Sequence, residues 1–252
     1  MSGFDFQERL VLVTGGARGI GLHLTHQLVE RGARVLMVGR DLNALEKARN
    51  EHGDRVFIHA ADLAHPDAAV ELARWVAREH PDCSALINNA AIMIHEDLTK
   101  DGDLHAAAIS TEIGINLTAP IQLAAALLPV LAKHEKSLIA NVTSGLAIAP
   151  KRDAAVYCAT KAGMRSFTRS LRDQCRKAGL GVQVSEVVMT LVDTTLSSAA
   201  NAMKKYPPSF AAADMLAGIE KGQDEVWIEK TKILRLLHRL APSLAYRIMR
   251  GR

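Results

Sequence analysis

With 252 residues, 48% of them hydrophobic, the chain is long enough to bury the core of one domain of the larger α/β kind, and two domains would be cramped. The net charge of +4 is local, because residues 231–252 hold six basic side chains and no acid, whereas the other 230 residues hold 25 basic and 27 acidic ones. This distribution, without interleaved aromatic residues, argues against a nucleic-acid partner.

The three cysteines, Cys83, Cys158 and Cys175, lie far apart and in no metal-ligand spacing. They indicate neither a disulfide framework nor a metal site, so we expect a reducing, cytoplasmic location. The first eight residues carry acids instead of a basic, apolar leader, and the apolar run 119–132 is broken by Pro120 and Pro129. We therefore expect neither a signal peptide nor a transmembrane span.

Apolar, β-rich runs alternate with amphipathic helical stretches along the chain. This pattern predicts an α/β fold: a single doubly wound Rossmann-type domain over residues 1–252, with a central, mostly parallel sheet of about seven strands flanked by helices. The predicted strands are 10–13, 35–38, 56–60, 85–88, 138–143, 182–188 and a short edge strand at 225–228. The predicted helices are near 19–31, 41–51, 66–80, 108–134, 154–178 and 197–219, the last interrupted by Pro207-Pro208.

The first strand leads into a glycine loop, Thr14-Gly-Gly-Ala-Arg-Gly-Ile-Gly21, that opens the first helix. Glycines permit a tight turn and close backbone approach, and the helix amino end offers free N–H groups to a pyrophosphate. Gly15, Gly19, Ile20 and Gly21 are therefore candidate dinucleotide-binding residues. An ordinary glycine-rich turn is the alternative.

The residues at the end of the second predicted strand indicate which cofactor the protein prefers. Enzymes that prefer NAD usually place an acid there for the ribose 2′-hydroxyl, whereas this chain has Gly39 followed by Arg40. With no acid there to repel a phosphate, Arg40 and Arg18 of the glycine loop match a 2′-phosphate by charge and geometry. We predict NADP(H); two solvated surface charges, or an NAD-linked enzyme, are the alternatives.

The stretch from Ser144 to Lys161 carries the candidate chemistry. Tyr157 and Lys161 are four apart in a predicted helix, so that phenol and ammonium share one face, and Ser144 follows a predicted strand that faces this helix. A positive charge about 5 Å away would lower the phenol pKa by about 2 units from its ordinary ~10. Such a tyrosine could exchange protons near neutrality.

Together with the glycine loop, Ser144 and Tyr157-x-x-x-Lys161 resemble the short-chain dehydrogenase/reductase family, and within it the bacterial DltE-type oxidoreductase subgroup, over nearly the whole chain. The resemblance implies hydride transfer between NADP(H) and a carbonyl or secondary alcohol. Ser144 would polarise the carbonyl, Tyr157 would donate the proton, and Lys161 would lower the pKa of that phenol and hold the nicotinamide ribose.

The resemblance implies further roles for single residues. Asn116, in the stretch Ile113–Pro120, would open its helix and complete a proton path with Ser144, Tyr157 and Lys161; a buried asparagine satisfied by its neighbours, with no role in turnover, is the alternative. The other implied positions are in contact with the cofactor: Asp62 and Leu63 at adenine (a helix cap being the alternative for Asp62), Asn89 and Ala90 at ribose, and Val192 and Thr194 at nicotinamide. Asn88 is expected to brace neighbouring strands.

The segment after the sixth strand departs from the family pattern. Met189-Thr190 stands where relatives usually have Pro-Gly, and Thr190, being β-branched, disfavours positive φ. We expect an altered loop path around the nicotinamide. This departure keeps open a third reading, a weakly active or non-catalytic NADPH-binding sensor or scaffold.

The sequence gives weaker indications of the substrate, the oligomeric state and the role of the carboxyl-terminal tail. Candidate pocket-lining residues are apolar, which suggests a hydrophobic small-molecule substrate; they are Ile92, Met93, Ile94, Leu146, Ile148, Leu191 and, on a substrate flap at 197–222, Met203 and Phe210. The resemblance implies a homodimer or homotetramer. The tail at 231–252 predicts a basic amphipathic helix that can seal the fold, contact another subunit or lie on anionic lipid.

Overall fold

The computed structural model describes residues 3–95, 97–100, 105–197 and 204–251. In that part of the chain, seven parallel strands form one sheet in the order β3-β2-β1-β4-β5-β6-β7. The strands are β1 Leu10–Thr14, β2 Arg34–Gly39, β3 Val56–Ala60, β4 Cys83–Asn88, β5 Ser137–Ser144, β6 Val182–Met189 and β7 Glu225–Trp227. The predicted α/β sheet is confirmed, with every strand boundary within two residues of its expectation.

Helices cover both faces of this sheet. They are α1 Gly19–Glu30, α2 Leu42–Asn50, α3 Ala68–Glu79, α4 Ala106–Ile113, α5 Ala119–Leu131, α6 Ala155–Lys177, α7 Pro208–Glu220, α8 Thr231–Leu240 and α9 Pro242–Met249. Successive strand residues point to opposite faces, so that Val11 and Val13 join a core with α1 and α7, whereas Leu10 and Leu12 join a core with α3 and α5. The carboxyl ends of the strands share one edge, where α/β folds place their ligands.

The long helix predicted at 108–134 forms in three parts. A π-helical segment, Gly114–Thr118, joins α4 to α5, and Pro129 lies inside α5 without ending it. The stretch Ala106–Leu131 is therefore continuous, with a mean hydropathy of 1.6 over 18 residues, long and apolar enough to cross a membrane by length and composition. Leu123, Leu127 and Leu131 are fully buried against the sheet, as in the core helix of a globular domain.

The predicted interruption of the 197–219 helix at Pro207-Pro208 is confirmed, but residues 204–206 before it are not helical. Tyr206 pairs in a β-bridge with Val192, and α7 begins only at Pro208, because Pro207 is extended and a proline suits the first turn of a helix. The second half of the predicted flap is a core helix, since Ala212, Met215 and Ile219 of α7 are fully buried. Residues 198–203, which include Met203, lie outside the described residues.

Candidate active site

The glycine loop turns sharply between β1 and α1. Gly15 and Gly19 have φ of +67° and +52°, the left-handed region that favours glycine. A Cβ on Gly21 would lie 1.9 Å from the carbonyl oxygen of Gly15, so no larger residue fits there without a backbone shift. Arg18 precedes α1 and makes no side-chain cap, which leaves the helix amino end to other acceptors.

A cavity of 510 Å³ opens along this loop and the carboxyl ends of β2, β3 and β4. It brings together most of the residues assigned from sequence to the cofactor: Gly15, Arg18, Gly19, Ile20, Arg40, Asp62, Leu63, Asn89, Ala90 and Thr194. Gly21 is behind the loop and Val192 is buried, so that neither belongs to the wall. The glycine cradle and the cavity fit a dinucleotide.

The expectation of no carboxylate near the end of β2 is wrong. Asp41, directly after Arg40, lines the cavity and forms an ion pair with Arg18. Its second oxygen accepts a hydrogen bond from Ala44 N at 3.1 Å and caps α2. This carboxylate lies one residue beyond the position where sequence reasoning looked for an acid.

Asp62 and Asn89 are both held by local hydrogen bonds. Asp62 accepts from Ala64 N at 3.0 Å and does not cap α3, whose first residue is Ala68. Asn89 Nδ2 donates to the carbonyl oxygen of Thr14 at 3.0 Å and joins the β4 end to the glycine loop. Thr14 was missed, although its hydroxyl accepts from the backbone N–H groups of both Asn89 and Ala90 at 3.0 Å.

Asn88 braces the strands as predicted. Its side-chain amide donates to Asn141 Oδ1 at 2.8 Å, and Asn141 in turn donates to Thr168 on α6 at 2.9 Å. This buried chain of amides ties β4 and β5 to the helix that carries Tyr157 and Lys161. The relative position of these elements is thereby defined by hydrogen bonds as well as by packing.

Ser144, Tyr157 and Lys161 converge in the interior. Ser144 ends β5, and its hydroxyl accepts a hydrogen bond from Leu146 N at 3.2 Å and lies near enough to the Tyr157 phenol to act on its pKa. Lys161 Nζ lies 5.6 Å from the centre of the Tyr157 ring and donates to the carbonyl oxygen of Val142 at 2.9 Å. Met93 packs against the buried group of Ala154, Tyr157 and Cys158 and also lines the cavity, so that this group adjoins the cavity.

The predicted lowering of the Tyr157 pKa is wrong for this structure. Burial raises the pKa of the phenol, and the neighbouring Ser144 hydroxyl only partly opposes this shift. Lys161 is also enclosed, and burial lowers its pKa to about 8, while the carboxylate of Glu112 acts in the opposite direction. The ammonium lies beside the ring and is itself desolvated, so that its charge does not outweigh the cost of ionising a buried phenol.

Asn116 lies in the π-helical segment, consistent with the predicted local opening of the helix. Its amide is buried and pairs with the backbone of Ile92, accepting from N at 2.9 Å and donating to O at 2.7 Å. Four residues earlier, Glu112 is 1% exposed and accepts from Ile94 N at 3.2 Å. Sequence reasoning missed Glu112, whose only signal was an acid on the otherwise apolar face of a helix.

The Met189-Thr190 segment is connected by side-chain hydrogen bonds to the start of the tail. Thr190 is not among the described residues with positive φ, and its hydroxyl donates to Glu229 at 3.1 Å. Thr231 also donates to the carbonyl oxygen of Val188 at 3.2 Å. The end of β6 is thus attached to the start of the tail, while Thr194 contacts the glycine loop near Gly19.

The proposed substrate-side residues are only partly brought together. Ile92 and Met93 line the cavity, and Leu146 packs against the buried group that contains Tyr157. Ile94, Ile148 and Leu191 are half-buried outside the cavity wall, and Phe210 is 61% exposed on α7. His95 was missed; it lines the cavity and lies 3.2 Å from Asp153.

Outside the cavity, a group of side chains on α1 and just after α2 combines metal-capable donors, as found among the described residues. It consists of His26, Glu51 and His52, whose donor atoms lie within 4.8 Å of one another. The two imidazoles are hydrogen-bonded at 2.9 Å, and His26 is 3.6 Å from Glu51. These mutual contacts account for the arrangement as a surface polar network.

Comparison with known proteins decides the family. The family model described as short chain dehydrogenase matches residues 9–205. The chain belongs to the short-chain dehydrogenase family. It is 34% identical over 230 residues to the uncharacterized oxidoreductase DltE of Bacillus subtilis, covering 89% of this chain and 90% of that one.

Solved structures of the family share the fold over nearly the whole chain. A short chain dehydrogenase from Burkholderia cenocepacia in complex with NADP has a TM-score of 0.85 at 25% identity, covering 98% of this chain and 99% of that one. One from Burkholderia phymatum in complex with NAD has the same TM-score at 17% identity and covers 96% of each chain. Nicotinamide dinucleotides of both kinds thus occur on this fold.

Proposed function

We propose that this oxidoreductase reduces the carbonyl group of an apolar small molecule with NADPH, and catalyses the reverse oxidation of a secondary alcohol. The observation that carries the proposal is the buried cluster of Ser144, Tyr157 and Lys161 beside a cavity that fits a dinucleotide. The bound cofactor would supply the hydride. Asp62 and Leu63 would hold its adenine, Asn89 and Ala90 its ribose, and Thr194 and the backbone of the buried Val192 its nicotinamide end.

The protein's own groups would handle the proton. Ser144 would donate a hydrogen bond to the substrate oxygen, and Tyr157, whose raised pKa keeps it protonated at neutral pH, would give its proton to that oxygen. The ammonium of Lys161 would stabilise the phenolate left behind. Asn116, in the π-helical segment, would keep the path from Lys161 to solvent open.

Preference for NADP(H) rests on Arg18 and Arg40 at the adenine-ribose end of the cavity. Asp41 favours the alternative, an NAD-linked alcohol dehydrogenase, because a carboxylate there can accept from a ribose 2′-hydroxyl and repel a phosphate. Arg18 already neutralises Asp41 through their ion pair, and Arg40 adds a further positive charge. The charge balance therefore supports NADPH.

The test combines titration with turnover. Thermal-shift titrations should show tighter binding of NADPH than of NADH, and a panel of aldehydes and ketones should be reduced faster as their apolar surface grows. Tyr157→Phe should keep NADPH affinity and lose about 10²–10⁴-fold in kcat, because a positioned acid contributes that much. Equal affinities for NADPH and NADH would favour the NAD-linked alcohol dehydrogenase. NADPH binding without turnover of any carbonyl compound would favour a sensor.

We also propose that the protein is a cytoplasmic homodimer or homotetramer. In the family, the helices that carry Asn116 and Tyr157 commonly pair across a two-fold axis. Here the outer side of the long helix exposes Ile113, Ala125 and Ala126, and all three cysteines are buried free thiols. Light scattering on a sizing column would measure the subunit number, and a monomer at micromolar concentration would refute this assembly.

A further inference from the structure

The tail exposes an apolar strip. Ile233, Leu236 and Leu240 of α8 are 70%, 58% and 74% exposed, and their spacing puts them on one side of the helix. Leu244 and Ile248 extend the exposed apolar surface along α9. Contiguous apolar surface of this kind usually marks a site of interaction.

The strip is not required to hold the tail in place. α8 is attached through its opposite side, where Leu234 packs on Gly145 and the buried Thr231 bonds to β6. α9 is attached through Ala245, which is fully buried, and through Arg250, whose carbonyl oxygen accepts from Arg152 N at 3.2 Å. Each of the two helices is therefore anchored through one side and exposes its other side to solvent.

Positive charge borders the strip. Lys232 and Arg239 are exposed on α8, Arg247 and Arg250 on α9, and no acid occurs between residues 231 and 252. Arg235 is directed away from the strip, to Glu225 at 3.8 Å and the ring of Trp227. A symmetric pairing of two tails would bring these like charges together, which disfavours a second copy as the occupant. An anionic lipid surface complements both the charge and the apolar strip.

We propose that α8 and α9 dock on the anionic face of a phospholipid bilayer. Ile233, Leu236 and Leu240 enter the boundary between headgroups and acyl chains, and the basic residues bind lipid phosphates. Each Lys or Arg held near such a surface strengthens binding by about fivefold.

The docking surface adjoins the candidate active site. Leu234 contacts Gly145, next to Ser144, and Arg250 contacts Arg152, in the segment that leads to α6 and Tyr157. A substrate leaving the bilayer would therefore meet the segments that carry the reacting groups. From this placement we infer the substrate class: an amphiphile that partitions into membranes and whose carbonyl is attached to a long alkyl or alicyclic body. This inference rests on the proposed function.

Vesicle flotation of the full chain tests the docking. The protein should float with vesicles of phosphatidylcholine containing phosphatidylglycerol, should bind phosphatidylcholine alone much more weakly, and should be released by high salt. The triple variant Ile233→Ser/Leu236→Ser/Leu240→Ser should weaken binding about tenfold or more, as should Lys232→Glu/Arg239→Glu. The matched control Leu42→Ser/Leu98→Ser, at residues 47% and 45% exposed elsewhere, should bind like the wild type.

Three outcomes would overturn the proposal. They are no flotation of the wild type, equal flotation of the triple variant, and a tail-dependent dimer that does not bind vesicles. NADPH titration confirms that each variant is folded, and flotation does not depend on turnover, so that failure of the enzymatic proposal is separable. With long-chain ketones in anionic vesicles, kcat/KM should fall in the triple variant, whereas a short, water-soluble ketone should be reduced equally; an equal fall for both refutes delivery from lipid.

Discussion

Two regions of the candidate site place their charges in different environments. In the cavity, the side chains of Arg18 and Asp41 are 69% and 41% exposed. In the reacting cluster, Tyr157, Lys161 and Glu112 are 7%, 3% and 1% exposed. Water screens the first set, so that its charges adjust affinity by modest amounts, whereas enclosure of the second set shifts pKa values. Cavity variants should therefore change binding, and cluster variants should change proton transfer.

The largest effect that we expect on the cavity comes from its backbone. Gly21→Ala places a Cβ 1.9 Å from the carbonyl oxygen of Gly15, so the phosphate-binding turn must shift, and NADPH affinity should fall about a hundredfold. Gly114→Ala is the matched control, because the nearest atom to its Cβ would be 3.9 Å away and its φ is −54°. Fluorescence titration with NADPH measures both, and equal affinities would show that the loop does not bind the pyrophosphate.

The reacting cluster should respond to pH. Because the pKa of Lys161 is lowered to about 8, its ammonium loses its proton as the pH rises through 8, and kcat/KM for carbonyl reduction should then fall about tenfold per pH unit. The carboxylate of Glu112 raises that pKa, so Glu112→Gln should move the fall to lower pH. Glu46→Gln, on the surface of α2, serves as the control. An unchanged dependence of kcat/KM on pH in Glu112→Gln would show that Glu112 does not influence proton transfer.

The next effect concerns the cofactor phosphate. Arg18→Ala and Arg40→Ala should each weaken NADPH binding about tenfold. This loss is near the lower end of the range for removing a hydrogen bond to a charged group, because these side chains lie partly in water. NADH binding should change little, and Arg49→Ala, on α2 outside the cavity wall, should leave both cofactors unaffected. Equal losses of affinity for NADPH and NADH would show that the two guanidinium groups do not bind a 2′-phosphate.

The same contrast explains how much of the molecule could be predicted from sequence. Strand periodicity and the order of Gly15, Ser144, Tyr157 and Lys161 were sufficient for the sheet and for the groups that meet at its edge. The direction of the Tyr157 pKa shift was not predictable, because it depends on burial in three dimensions, and a helical spacing reports only the distance to Lys161. Burial of Glu112 likewise follows from packing around the loop after β4.

The smallest expected effect tests the Asp41 carboxylate, which the sequence analysis did not consider. Asp41→Asn keeps an oxygen that can accept from Ala44 N and cap α2, but it removes the negative charge and frees Arg18 from its ion pair. NADPH binding should therefore tighten about threefold, because the remaining charge facing a phosphate becomes more positive at an exposed, screened position. NADH binding should weaken if the carboxylate accepts from the ribose 2′-hydroxyl. Weaker NADH binding with unchanged NADPH binding would make Asp41, rather than the arginines, the residue that selects the cofactor, and would favour the NAD-linked alternative.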